Sequence, residues 1–110
     1  MIAVVIHKSH HGHTVGFNCS GHASYAAKGT DIVCAGVSTL TQTTVLALDQ
    51  LLHLELRLKQ NIKRGILECS WDIEPQLLER TELVVGVMLL GLNEIQKQYP
   101  QYLRLSEVEV

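Results

Sequence analysis

A chain of 110 residues, 46% hydrophobic and 18% charged, can bury one core but not two and is too apolar to be disordered. A formal charge of −2, with nine Lys and Arg that read as scattered, excludes the dense positive field needed to hold a nucleic-acid backbone. Three cysteines, an odd number without framework spacing, exclude a disulfide scaffold and fit reduced thiols inside a cell.

The opening MIAVVIHKSHH lacks the basic segment, long apolar stretch and cleavage site of a signal peptide. The longest apolar run, residues 83–92, is about half of what spans a bilayer. The expectation is one cytoplasmic domain over residues 1–110, with neither membrane nor direct nucleic-acid partner.

Residues 2–7 (IAVVIH) are β-branched and apolar and predict a strand. KSHHGH turns the chain, and TVGFNCSG at 14–21 resumes the strand pattern, so the two predict a hairpin. A loop of small residues follows at 22–33. From about residue 34 to 52, Val37, Leu40, Leu48 and Leu51 fall at helical spacing. LELRLKQ at 54–60 alternates strictly, with Leu54, Leu56 and Leu58 on one face of a half-buried strand. NIKRG is a turn and ILECSWD at 66–72 the returning strand.

Pro75 suits a helix start, and a second helix is predicted from Gln76 to about Gln98. Its middle is apolar all round, so both sides should be covered, one of them by a second subunit. Tyr99-Pro100 stops it, and 101–110 predicts a last strand. The order ββαββαβ, with hairpins that favour antiparallel pairing, gives an α+β fold with a mainly antiparallel sheet.

His7, His10, His11 and His13 suggest a metal site at first sight. They lack zinc-motif spacing and have no Cys or carboxylate nearby, so a solvated turn is the better account; no metal or cofactor is expected. Cys19 and Cys69 read as packing residues, although Cys19 can border a cleft near His22. Trp71 reads as a sheet-face residue.

Cys34 carries more chemistry. At a helix start a thiol meets unpaired N–H groups and the positive end of the helix dipole, and both favour the thiolate. The same amides are candidate donors to a substrate oxyanion. A base is also needed, and His22 can supply it only if the loop folds back, which Gly21 and Gly29 permit. The plain alternative is that Cys34 merely packs. Ser38, four residues on, shares its helix face and can steady the thiolate or be an ordinary surface serine. Asp31 can orient His22 or cap the helix; capping needs only local geometry and is preferred.

GHA with Tyr25-Ala26, Gly29, Asp31-Ile32-Val33-Cys34-Ala35 and Val37-Ser38 resembles the signature of the ribosomal-processing cysteine proteases, the Prp family. The likeness continues through TTV at 43–45, VMLLGLNEI and YPQYLRL. It implies a catalytic pair of Cys34 and His22, with Gly21, Asp31, Ala35 and Ser38 in support. It also implies a homodimer that removes a short N-terminal extension from a large-subunit ribosomal protein, the twenty-seventh in the usual count. Ser24 departs from the pattern, where glycine is expected, and Thr30 stands where lysine or another polar residue is common. A serine at 24 can stiffen the loop or narrow the cleft.

The implied reaction is attack by the Cys34 thiolate, with the oxyanion held by helix-start amides and His22 as acid and base; loop 22–33 would close on substrate. Two rival functions stay open: a non-catalytic ribosome-assembly module, and a thiol redox sensor with Cys19 as resolving partner.

Overall fold

The computed structural model describes residues 1–27 and 29–110. Strands β1 (Ile2–Lys8) and β2 (Thr14–Ser20) form the expected hairpin, with Ile6 opposite Phe17 and Val4 opposite Cys19. After helix α1 (Ile32–Gln50) come β3 (Arg57–Asn61) and β4 (Ile66–Ser70), a second antiparallel pair. A 3₁₀ turn at Pro75–Leu77 leads into α2 (Leu78–Gln98), and β5 (Leu103–Glu109) ends the chain.

The sheet order is β3-β4-β2-β1-β5. β4 pairs with β2, and β5 lies parallel to β1, with Ile2 opposite Leu103. Each helix therefore joins two parallel strands, β2 to β3 through α1 and β4 to β5 through α2. The two crossovers run in opposite directions and move to opposite edges, so the right-handed rule puts both helices on one face. The helix seam agrees: Leu40 sits over Gly91 and Ile95 over Gly36.

Period-2 alternation then sorts the strands. Ile2, Val4, Ile6, Phe17, Leu67, Cys69 and Leu103 point under the helices and fill the core with Val33, Val37, Leu48, Val85, Met88 and Leu92. Glu82 reaches across from α2 to accept the buried Thr14 N–H at 2.7 Å. By length and composition α1 could cross a bilayer, yet Val33, Val37, Thr41, Thr44, Val45 and Leu48 on it are buried inside the fold.

The predicted order and sheet type hold, and the departures have local causes. The first helix starts at Ile32, not Cys34, because Asp31 caps it. The strand expected at 54–60 runs from Arg57 to Asn61 instead. Leu54 precedes it and is buried, whereas Leu58 is half exposed, because β3 is an edge strand lying beyond the helix layer. β4 ends at Ser70, so Trp71 lies just past the strand, buried edge-on against Phe17 with ring centres 6.4 Å apart. In keeping with the reading that one side of the second helix needs a cover from outside the chain, Leu83, Val87 and Leu90 are 69%, 60% and 71% exposed. Basic residues are less scattered than the sequence reading held, since Arg57, Lys59, Lys63 and Arg64 gather on β3 and its turn. His7 lies in β1, as the strand reading of 2–7 has it, and its ring nitrogen meets Asn18 Oδ1 at 2.8 Å.

Candidate active site

Asp31 organises the start of α1. Its backbone is extended, and its Oδ1 accepts from Val33 N–H and Cys34 N–H, both at 3.0 Å. That is N-capping, and it makes Cys34 the third residue of the helix. Oδ2 meanwhile accepts from Tyr25 N–H at 3.0 Å and Ala26 N–H at 3.4 Å. One carboxylate thus clips the loop to the helix. The Cys34 N–H first, and then the amides of Ala26, Tyr25 and Val33, hold the Asp31 carboxyl below its ordinary 3.8.

The loop has further anchors. Ala23 is buried, and the Tyr25 ring meets Tyr99 and Tyr102 edge-on at 5.3 and 5.2 Å. Thr30 closes a turn onto the Ala27 carbonyl through both its N–H (3.0 Å) and its hydroxyl (2.8 Å). The small residues therefore do not leave this segment untethered. Ser24 has φ 57, in the left-handed region. Glycine adopts that region freely and serine does not, which is the physical reason to expect glycine there.

Cys34 is partly buried against the core, and Cys19 lies near enough to feel its charge. Burial first, and the neighbouring Cys34 second, push the Cys19 thiol up to about 11. Burial alone pushes Cys69 up to about 11. Both remain protonated at neutral pH. His22 is exposed at the end of β2, with its ring against the β3–β4 turn. Among the described residues no hydrogen bond joins His22 to Cys34 or Ser38 to Cys34. Ser38 is exposed one turn further along α1, and Ala35 donates its N–H to the Asp31 carbonyl at 3.0 Å. Gly21 has φ +90, and a Cβ there would lie 2.5 Å from the Met1 carbonyl oxygen, so no other residue fits this bend without moving the N-terminus.

One expectation needs correcting. The helix-start amides of Val33 and Cys34 are not free to receive an oxyanion, because Asp31 already occupies both. Among the described residues no three His, Cys, Asp or Glu side chains gather where a metal ion could be held. A hollow of about 490 Å³ lies away from Cys34 and His22, its lining including His7, Asn18, Arg57, Lys59, Glu68 and Ser70. Sequence reasoning passed over the second half of the Asp31 clip, the tyrosine cluster and the contact of His22 with the β3–β4 turn. Only the last left a trace, the glycine of NIKRG.

The family model of the cysteine protease Prp matches residues 1–104. The chain belongs to this family. A curated relative, the ribosomal processing cysteine protease Prp of Bacillus subtilis (strain 168), is 30% identical over 108 residues, 96% of each chain. Prp from S. aureus, solved with a covalently linked product peptide, superposes with a TM-score of 0.89 at 26% identity over 98% of this chain and 100% of that one. A protein from Streptococcus mutans superposes at 0.83 with 26% identity, covering 100% of this chain and 96% of its own. The protein is accordingly a Prp-family cysteine peptidase of the ribosomal-processing type.

Proposed function

We propose that Cys34 is the nucleophile and His22 the general acid and base of an endopeptidase. Its substrate is the N-terminal extension of the twenty-seventh protein of the large ribosomal subunit, cut in the cytoplasm during ribosome maturation. The observation that carries the reading is the Asp31 clip, which brings the His22 loop and the first turn of α1, with Cys34 on it, to one end of the sheet. Support comes also from the S. aureus relatives, one solved with a covalently linked product peptide and one with a substrate peptide.

In this mechanism the Cys34 thiolate adds to the scissile carbonyl carbon. The tetrahedral intermediate collapses as the C–N bond breaks and His22, as imidazolium, gives its proton to the leaving amine. A thioester joins Cys34 to the N-terminal fragment. Neutral His22 then takes a proton from water, whose oxygen attacks the thioester, and the thiolate leaves with a carboxylic product. The Val33 and Cys34 amides stay with Asp31, so the oxyanion must find its donors elsewhere in the closed site. His22 must also swing from the turn into reach of sulfur, as side chains do when a site tightens around substrate.

The active species is a homodimer joined through the outer face of α2, where Leu83, Val87 and Leu90 form an exposed stripe at helical spacing. Light scattering at micromolar concentration checks this, and Leu90→Glu should yield a monomer. The function is tested by incubating the protein with the extended ribosomal protein and weighing the products by mass spectrometry. One defined N-terminal cut, lost in both Cys34→Ala and His22→Ala, is expected. Binding without any cut would instead support the assembly module.

A further inference from the structure

We propose that the β3–β4 turn positions His22, with Gly65 as the residue that makes this possible. The proposal rests on His22 being the acid–base of the preceding section.

The turn is built for a close approach. Gly65 N–H closes it on the Ile62 carbonyl at 3.1 Å, and Gly65 adopts φ +63. Its carbonyl then accepts the Gly21 N–H at 3.0 Å, so the residue preceding His22 is pinned to the turn by one backbone bond. A Cβ on Gly65 would lie 2.6 Å from the Gly21 carbonyl oxygen, 3.0 Å from His22 Cε1 and 3.1 Å from His22 Nε2. Carbon atoms in good contact stand about 3.5–4.0 Å apart, so any side chain at 65 must displace both the backbone at Gly21 and the imidazole. The part of the ring that touches the turn is its Nε2–Cε1 edge, which carries one of the two nitrogens that can exchange a proton. The turn therefore sets where that nitrogen starts and how far it must move to reach a substrate.

Gly12, in the β1–β2 turn, provides the control. It too has positive φ (+82), but a Cβ there meets nothing within 4 Å. Asparagine tolerates the left-handed region, so Gly65→Asn and Gly12→Asn share the backbone demand and differ in the contacts with Gly21 and His22. The assays are kcat and KM on the extended ribosomal peptide and the pH titration of the His22 Hε1 resonance.

Gly65→Asn should lower kcat about tenfold to a hundredfold, the scale expected for a displaced catalytic group, with KM within about threefold. It should also shift the His22 resonance and its titration midpoint. Gly12→Asn should change neither. In the unsubstituted protein a nuclear Overhauser contact between His22 Hε1 and the Gly65 α-protons is expected, which tests the geometry without relying on a variant that folds. Absence of that contact would overturn the proposal, as would a Gly65→Asn protein with unchanged kcat and His22 titration, or equal losses in Gly12→Asn. Full activity in His22→Ala would overturn the acid–base reading itself. An inactive His22→Ala beside a normal Gly65→Asn would overturn only the positioning role.

Discussion

Replacing Ser24 with glycine should make the protein more stable, although glycine usually does the opposite. Ser24 sits at φ 57. A left-handed conformation costs a residue with a Cβ about 1–2 kcal/mol, which glycine does not incur. Against this, glycine widens the unfolded ensemble and loses about 0.4–1 kcal/mol. The balance for Ser24→Gly is a gain between about zero and 1.5 kcal/mol, an upward shift of a few degrees in Tm for a chain of this size. No hydrogen bond of the Ser24 hydroxyl is found among the described residues, so Ser24→Ala, which keeps the strain, should stay within about 0.5 kcal/mol of the parent. Thermal unfolding followed by circular dichroism separates the three proteins. A fall in Tm for Ser24→Gly with Ser24→Ala unchanged would refute the reasoning, because backbone strain at 24 would then be worth less than unfolded-state entropy.

With Cys19 and Cys69 pushed up to about 11, only about one in a thousand of either is thiolate at pH 8. Brief iodoacetamide treatment of the native protein should therefore add one label, mapped to Cys34, and three after denaturation; two labels on the native fold would contradict this. Asp31 has a depressed folded value, so its clip adds stability above the unfolded pKa near 3.8 and loses it as pH falls through the folded value. Protection of the Tyr25 and Ala26 amides, taken relative to their intrinsic exchange at each pH, should fall across that acid window, and a carboxyl midpoint for Asp31 at or above 3.8 by carbon NMR would be the wrong sign. Glu82→Ala leaves the buried Thr14 N–H without its 2.7 Å acceptor and should cost about 1–3 kcal/mol in urea unfolding. Glu82→Gln, which keeps an acceptor oxygen, should recover most of it.

What the sequence disclosed followed the range of each interaction. The first hairpin and the Asp31 cap depend on neighbours a few residues away, and both were legible. The parallel pairing of β5 with β1 joins the two ends of the chain, and no local pattern encodes it. Leu58 alternates correctly with Leu54 and Leu56, yet alternation cannot tell that β3 lies at the uncovered edge of the sheet. The open face of α2 was foreseen as one needing a cover from outside the chain, although the pattern alone could not say which of its residues would form it. Cys34 and His22 stood out through family resemblance rather than spacing, because no helix or strand geometry relates them. The seat of His22 on Gly65 was beyond reach, since it depends on which two turns the finished sheet brings together.

The parallel β1–β5 pair has a consequence for the order of folding. Ile2 N–H bonds the Tyr102 carbonyl at 2.9 Å, Tyr25 rests on Tyr99 and Tyr102, and the bend at Gly21 abuts the Met1 carbonyl. Segments far apart in the sequence thus meet beside the candidate site. Contacts between distant parts of a chain form late, after the entropy of closing the intervening loop has been overcome. Until β5 pairs, the β1 edge is open and Tyr102, which leads into that strand, has no fixed place against Tyr25. The seat of the His22 loop thus depends on a contact of the slow-forming kind, the docking of β5 on β1.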